Sequence, residues 1–128
     1  MIQQEGPGWR LARDPSRPVF PALIGGDHWA FELTEKEWHG LVALLSALTD
    51  QHQALQDQLL AEEAIELEME SGDWWGCLEG DRERWSVRLV LQGSELARGL
   101  EAHWPAPAAQ AFVFAMRSAW DCGADKQD

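Results

Sequence analysis

Hydrophobic residues recur at every second position in four stretches of this chain and at helical spacing in two. From Trp9 through Leu11 to Arg13 the residues alternate apolar and polar until Asp14-Pro15, which predicts a short strand. After Pro18, the segment from Val19 to Gly25 predicts a second strand, set at a sheet edge because Pro21 has no N–H for a ladder. Gly25-Gly26-Asp27 is a turn, and Trp29, Phe31 and Leu33 then alternate with Ala30 and Glu32 as a third strand. Thr34-Glu35-Lys36-Glu37 has the form of a capping box, and Leu33 and Trp38 stand where a hydrophobic staple falls. From there Trp38, Leu41, Val42, Leu45, Leu48, His52, Leu55 and Leu59 share one face, so a long amphipathic helix is predicted from near Glu35 to near Leu60.

The second half repeats the plan. Residues 61–71 hold good helix formers, but Ile65, Leu67 and Met69 alternate with Glu66, Glu68 and Glu70. A strand from about Ala64 to the Ser71-Gly72-Asp73 turn is therefore favoured over a continuation of the helix. Further strands are predicted over Trp74 to Glu79, over Trp85 to Leu91 with Trp85, Val87, Leu89 and Leu91 on one face, and over Gly99 to Trp104. Pro105 and Pro107 suit the first turn of a last helix, whose stripe runs from Ala108 through Phe112 and Met116 to Trp120. The expectation is an α+β fold of two antiparallel sheet-plus-helix units, three or four strands and a helix followed by four strands and a helix, with the helices packed on the sheets. It makes a single domain over residues 1–122, with units of about 6–60 and 64–120 and a frayed tail at 123–128. The turn and strand Gly26-Asp27-His28-Trp29-Ala30-Phe31 parallel Gly80-Asp81 and Trp85-Ser86-Val87, which points to an internal duplication or to a chance match.

Composition narrows the function classes. Eight tryptophans without a tyrosine give the chain large rings able to anchor a core or an interface. The net charge of −12 is uneven, because residues 35–73 carry Lys36 alone against ten carboxylates. A polyanion would be repelled by that middle third. No apolar run approaches a membrane span, and the first residues lack the features of a signal peptide, so a cytoplasmic protein without membrane contact is expected. Cys77 and Cys122 are read as ordinary thiols, and the scattered histidines give no metal-ligand spacing.

Several segments carry a resemblance: Gly8-Trp9-Arg10, Leu23 to Ala30, Glu32-Leu33-Thr34, Glu62-Glu63, Ile65, Glu68 to Ser71, Glu79-Gly80, Trp85-Ser86-Val87, Glu101 and Trp104. Over roughly Gly6 to Ser118 the chain resembles the domain of unknown function 1818, a cyanobacterial and plastid-lineage family. The resemblance implies a fold similar to the Whirly-type single-stranded-DNA-binding transcriptional regulators. It implies no activity, and no catalytic or binding residue is carried over from it.

Candidate chemistry is sparse. Glu66, Glu68, Glu70 and Asp73 would place carboxylates on one strand face, yet no loop supplies the carbonyls that calcium favours, so they read as a solvated face. No nucleophile elbow, Cys–His–carboxylate set or phosphate-cradling loop occurs, so no enzyme, metal or cofactor is expected. Trp74, Trp75, Arg82, Arg84 and Arg88, with Trp85, interleave rings and guanidiniums as single-strand-binding surfaces do, but the glutamates expected on the outer sheet face would repel phosphates. The chain is read as a non-enzymatic protein-interaction or assembly module with an unidentified protein partner. The alternative is a single-stranded nucleic-acid-binding regulator using the sheet face.

Overall fold

Backbone alternation and two helical stripes resolve into ten elements in a computed structural model that describes residues 1–95 and 97–125, with side chains described as far as Ala119. The first half holds β1 (Ile2–Gly6), β2 (Trp9–Arg13), β3 (Ala22–Gly25), β4 (Ala30–Leu33) and α1 (Glu35–Gln56). The second holds β5 (Ile65–Ser71), β6 (Trp74–Gly80), β7 (Trp85–Leu91), β8 (Leu100–Trp104) and α2 (Ala108–Asp125). Each half contributes a four-stranded antiparallel sheet in sequential order, β1-β2-β3-β4 and β5-β6-β7-β8. The α+β architecture of two sheet-plus-helix units is therefore present. Gly8 and Gly72 take positive φ, 84° and 60°, in the tight turns that open each sheet, where a side chain would be strained.

The helices cross over between the halves. α1 lies mainly on β5 and β6 of the second sheet, while α2 lies on β2 of the first and also touches β7 and β1. One continuous core results, from Leu11 and Ile24 through Trp38, Leu41, Leu44 and Leu48 to Leu78, Leu89, Phe112 and Met116. Trp104 is fully buried where the two sheets meet. Its Nε1 donates to the Gly25 carbonyl at 3.0 Å, its ring stacks on Phe112 at 4.1 Å, and Trp29 tilts against it at 5.3 Å. Such ring pairs contribute about 0.5–1.5 kcal/mol beyond their buried area.

The start of α1 follows the sequence expectation. Thr34 Oγ1 accepts from the Glu37 amide at 3.1 Å, Glu37 Oε1 accepts from the Thr34 amide at 2.8 Å, and Leu33 and Trp38 are both buried. Residues 65–71 form a strand paired with β6 along its whole length, with Glu66, Glu68 and Glu70 exposed.

Four expectations are corrected. A strand, β1, precedes Trp9; its central Gln3, Gln4 and Glu5 are exposed, so it shows no apolar alternation. The segment at Val19 is not strand: β3 begins at Ala22, lies inside the sheet rather than at its edge, and leaves Pro21 outside, where its carbonyl accepts the Asp14 amide at 2.7 Å. α1 ends at Gln56, short of Leu60, whose side chain is 76% exposed. The hairpins at Gly26-Asp27 and Gly80-Asp81 are not equivalent, since the first joins strands three and four of its sheet and the second joins strands two and three. α2 runs to Asp125, while residues 126–128 of the expected tail and the side chains of Trp120 and Cys122 lie outside the described residues.

Candidate functional site

The two adjacent tryptophans that open β6 point to opposite faces, as successive strand residues must. Trp74 turns inward beneath α1, is 3% exposed, and donates from Nε1 to the Glu37 carbonyl at 3.0 Å. Trp75 turns outward, between Glu70 on β5 and Val90 on β7, with the Arg88 guanidinium 5.3 Å over its ring. Trp85 faces inward again, 5.9 Å from the His52 ring. Arg82 and Arg84 stand in the turn between β6 and β7. The five residues read from the sequence as one surface are thus divided: Trp75 and Arg88 share the outer face of the second sheet, Trp74 belongs to the core, and Arg82 and Arg84 ride on the turn.

The outer face of this sheet is left open because α1 packs against its inner side. Cross-strand register sets its pattern. Trp75 and Val90 are half-buried at its centre, with Cys77 beside them and buried, and Glu66, Glu68, Glu70, Glu79 and Glu101 stand exposed around them. Arg88 is the one guanidinium among these outward positions. Glu66, Glu68 and Cys77 bring their ligand atoms within 4.8 Å of one another, a different set from the carboxylates weighed in the sequence. Cys77 Sγ lies 3.8 Å from Glu66 Oε1. Burial, and then the charges of Glu66, Glu68 and Glu79, push its thiol above the ordinary value. That keeps the sulfur protonated, the opposite of what a nucleophile or a thiolate ligand needs.

The β6–β7 turn is unusually well braced. Asp81 Oδ1 accepts from the amides of Glu83 at 2.8 Å and Arg84 at 2.7 Å, and these bonds, the Arg84 one foremost, hold its carboxyl below the ordinary value. Three successive carbonyls are then tied to the helices: Asp81 O meets His52 Nε2 at 3.0 Å, Arg82 O accepts from Gln56 Nε2 at 3.0 Å, and Glu83 O accepts from Gln110 Nε2. The turn and the facing sides of α1 and α2 enclose a cleft lined by residues of all three elements, Arg82, Trp85, Gln53, Phe114 and Arg117 among them. Sequence reading placed His52 in an apolar stripe and gave Gln56 and Gln110 no role. Their task depends on which turn docks beside them, which strand and helix periodicity does not encode.

The described helices include none long and apolar enough to cross a membrane. No curated protein matches this chain. A crystal structure of a protein with unknown function from the DUF155 family, from Prochlorococcus sp. NATL2A, is 45% identical, with 94% of this chain and 99% of that one covered and a TM-score of 0.86. That likeness extends across both sheets and both helices and brings no activity with it. Residues 4–119 match the family described as a domain of unknown function, DUF1818, and the chain belongs to that family.

Proposed function

We propose that this chain is a non-catalytic interaction module that presents the open face of β5–β8 to a basic protein segment carrying an apolar anchor. The observation that supports this reading is the pattern on that face, where half-buried Trp75 and Val90 are ringed by Glu66, Glu68, Glu70, Glu79 and Glu101. Rings and aliphatic groups at the centre of a patch supply affinity, and charges at its rim supply selectivity and a fast approach. The raised thiol of Cys77 argues against a nucleophile there, and a cytoplasmic setting would keep that unpaired thiol reduced.

The Arg88–Trp75 pair favours a second reading, in which the same face stacks single-stranded nucleic acid. Trp29, Phe31, Arg88 and His103 line a neighbouring hollow that would extend such a track. The carboxylates around it oppose phosphates, so no oligonucleotide binding tighter than micromolar is expected at physiological salt.

Titration calorimetry with a peptide alternating arginine and leucine, and with oligothymidylate, at low and high salt separates the two. The interaction reading expects the peptide to bind, more weakly as salt rises, and to lose binding on Trp75→Ala or Glu68→Lys. Submicromolar, salt-sensitive oligothymidylate binding that disappears with Arg88→Ala would replace it by the second reading. No binding of either probe overturns both.

A further inference from the structure

We infer that the cleft between α1, α2 and the β6–β7 turn is a binding site for an organic carboxylate with an apolar body. It lies on the helix side of the second sheet, away from the open face, and does not depend on that face's role. Its volume of about 420 Å³ falls in the range of small-ligand sites.

Three observations set the ligand's chemistry. First, the cleft holds two guanidiniums, Arg82 and Arg117, in a chain of net charge −12. Carboxylates outnumber cations more than two to one here, and Arg13, Arg17 and Arg98 each pair with a glutamate. Arg82 makes no ion pair within 4.0 Å among the described residues, and Arg117 reaches only the well-exposed Asp50 at 3.4 Å while bonding Thr49 Oγ1. Second, Trp85, Val113 and Phe114 give the cleft an apolar patch within an otherwise polar lining. Phe114 is 76% exposed, although neighbouring Val113 and Ala115 are buried, and it faces the same cleft as half-buried Trp85. A large ring left in water, on a helix whose Phe112, Val113 and Met116 are buried, offers an apolar ligand a surface to cover. Third, the turn that carries Arg82 is held by the His52, Gln56 and Gln110 side chains and by the Asp81 carboxylate, so little order is lost when a ligand enters.

The same site excludes more highly charged anions. Glu83 also lines the cleft and Asp50 stands at Arg117, so two carboxylates offset the two guanidiniums. A polyphosphate or a nucleic-acid backbone would meet that repulsion at each further charge, whereas one carboxylate can take a forked bond from a guanidinium and leave the rest of the ligand on Phe114 and Trp85. A free aromatic or aliphatic acid and the C-terminus of a chain ending in an apolar residue share this chemistry.

The test follows backbone amide shifts by heteronuclear NMR in the full chain. The probes are 3-phenylpropionate, its neutral amide, and a tripeptide ending in phenylalanine with a free or an amidated terminus. We expect one or both acids to shift Gln53, Gln110 and Val113, each neutral counterpart to bind about tenfold weaker or worse, and Arg82→Gln to cause a comparable loss. Phe114→Ser, at an exposed position, should weaken binding while leaving the rest of the spectrum in place. Tighter binding of the free tripeptide assigns a chain terminus, and tighter binding of phenylpropionate assigns a small acid. The inference is overturned if neither acid moves these amides, if acid and amide bind alike, or if Arg82→Gln changes nothing. Trp75→Ala should leave the titration unaltered, so failure here and failure at the open face are distinguishable.

Discussion

Replacing Gly40 by alanine should destabilise this protein, although the same change in an ordinary helix interior is stabilising. Alanine gains about 0.5–1 kcal/mol over glycine in mid-helix. At Gly40, however, an added Cβ falls 2.8 Å from Cδ1 and 3.2 Å from Nε1 of Trp74. Ordinary contact needs 3.4 Å or more, and the indole has little room to yield, being 3% exposed and bonded from Nε1 to the Glu37 carbonyl one turn earlier on the same helix. Overpacking of this kind costs about 1–3 kcal/mol. The net expectation is a loss of about 1–2 kcal/mol, after the helix gain is set against the strain. Urea unfolding should show a lower midpoint with an unchanged slope. The cause is isolated by Trp74→Leu: in that background Gly40→Ala should become neutral or stabilising, a coupling of about 1–3 kcal/mol. If Gly40→Ala raises the midpoint of the unaltered protein, the close seat of α1 on Trp74 is wrong.

Two smaller tests concern the entry to α1. Thr34→Ala removes the hydroxyl that accepts the Glu37 amide and should cost about 1 kcal/mol in the same unfolding assay, so no measurable change would count against the cap. Glu35 is held below its ordinary 4.5 chiefly by the side-chain hydrogen bonds from Arg13, with the nearby charges adding to the effect. A depressed carboxylate stabilises fully above its unfolded value and loses that contribution as pH falls through the folded one. Stability should therefore decline below about pH 4.5 more in the native protein than in Glu35→Gln. An NMR midpoint for Glu35 at or above 4.5 would refute this.

What could be read from the sequence was whatever a local period or a cap encodes. Thr34 and Glu37 announced the start of α1, and the alternation of Ile65, Leu67 and Met69 with glutamates settled both the strand and its facing. β1 was hidden because an edge strand with Gln3, Gln4 and Glu5 in the open has no buried face to pattern. The end of α1 was misjudged because helix formers continue past Gln56 while its partners do not: the β6–β7 turn, reached by Gln56, is the last surface it touches. Packing rather than propensity sets where such a helix stops. At the site, Trp74 and Trp75 could not have shared a surface, since neighbours in a strand face opposite ways, and the phase of Gly76 and Leu78 marked Trp74 as the inward one. The bracing of the turn by His52, Gln56 and Gln110 joins residues 26 to 29 positions apart and had no local signature.

Because α1 roofs the second sheet and α2 lies mainly on the first, neither half owns its shelter. Cut between Gln56 and Ile65, the chain would yield two fragments, each with a largely bared sheet and a helix parted from most of the surface it covers. Mixed together, they should reassemble by trading helices. Apart, each should clump through the faces the other was meant to hide. The same exchange makes the molecule intolerant of piecemeal damage: a lesion on α1 first uncovers β5 and β6, so its injury surfaces in the opposite half of the protein.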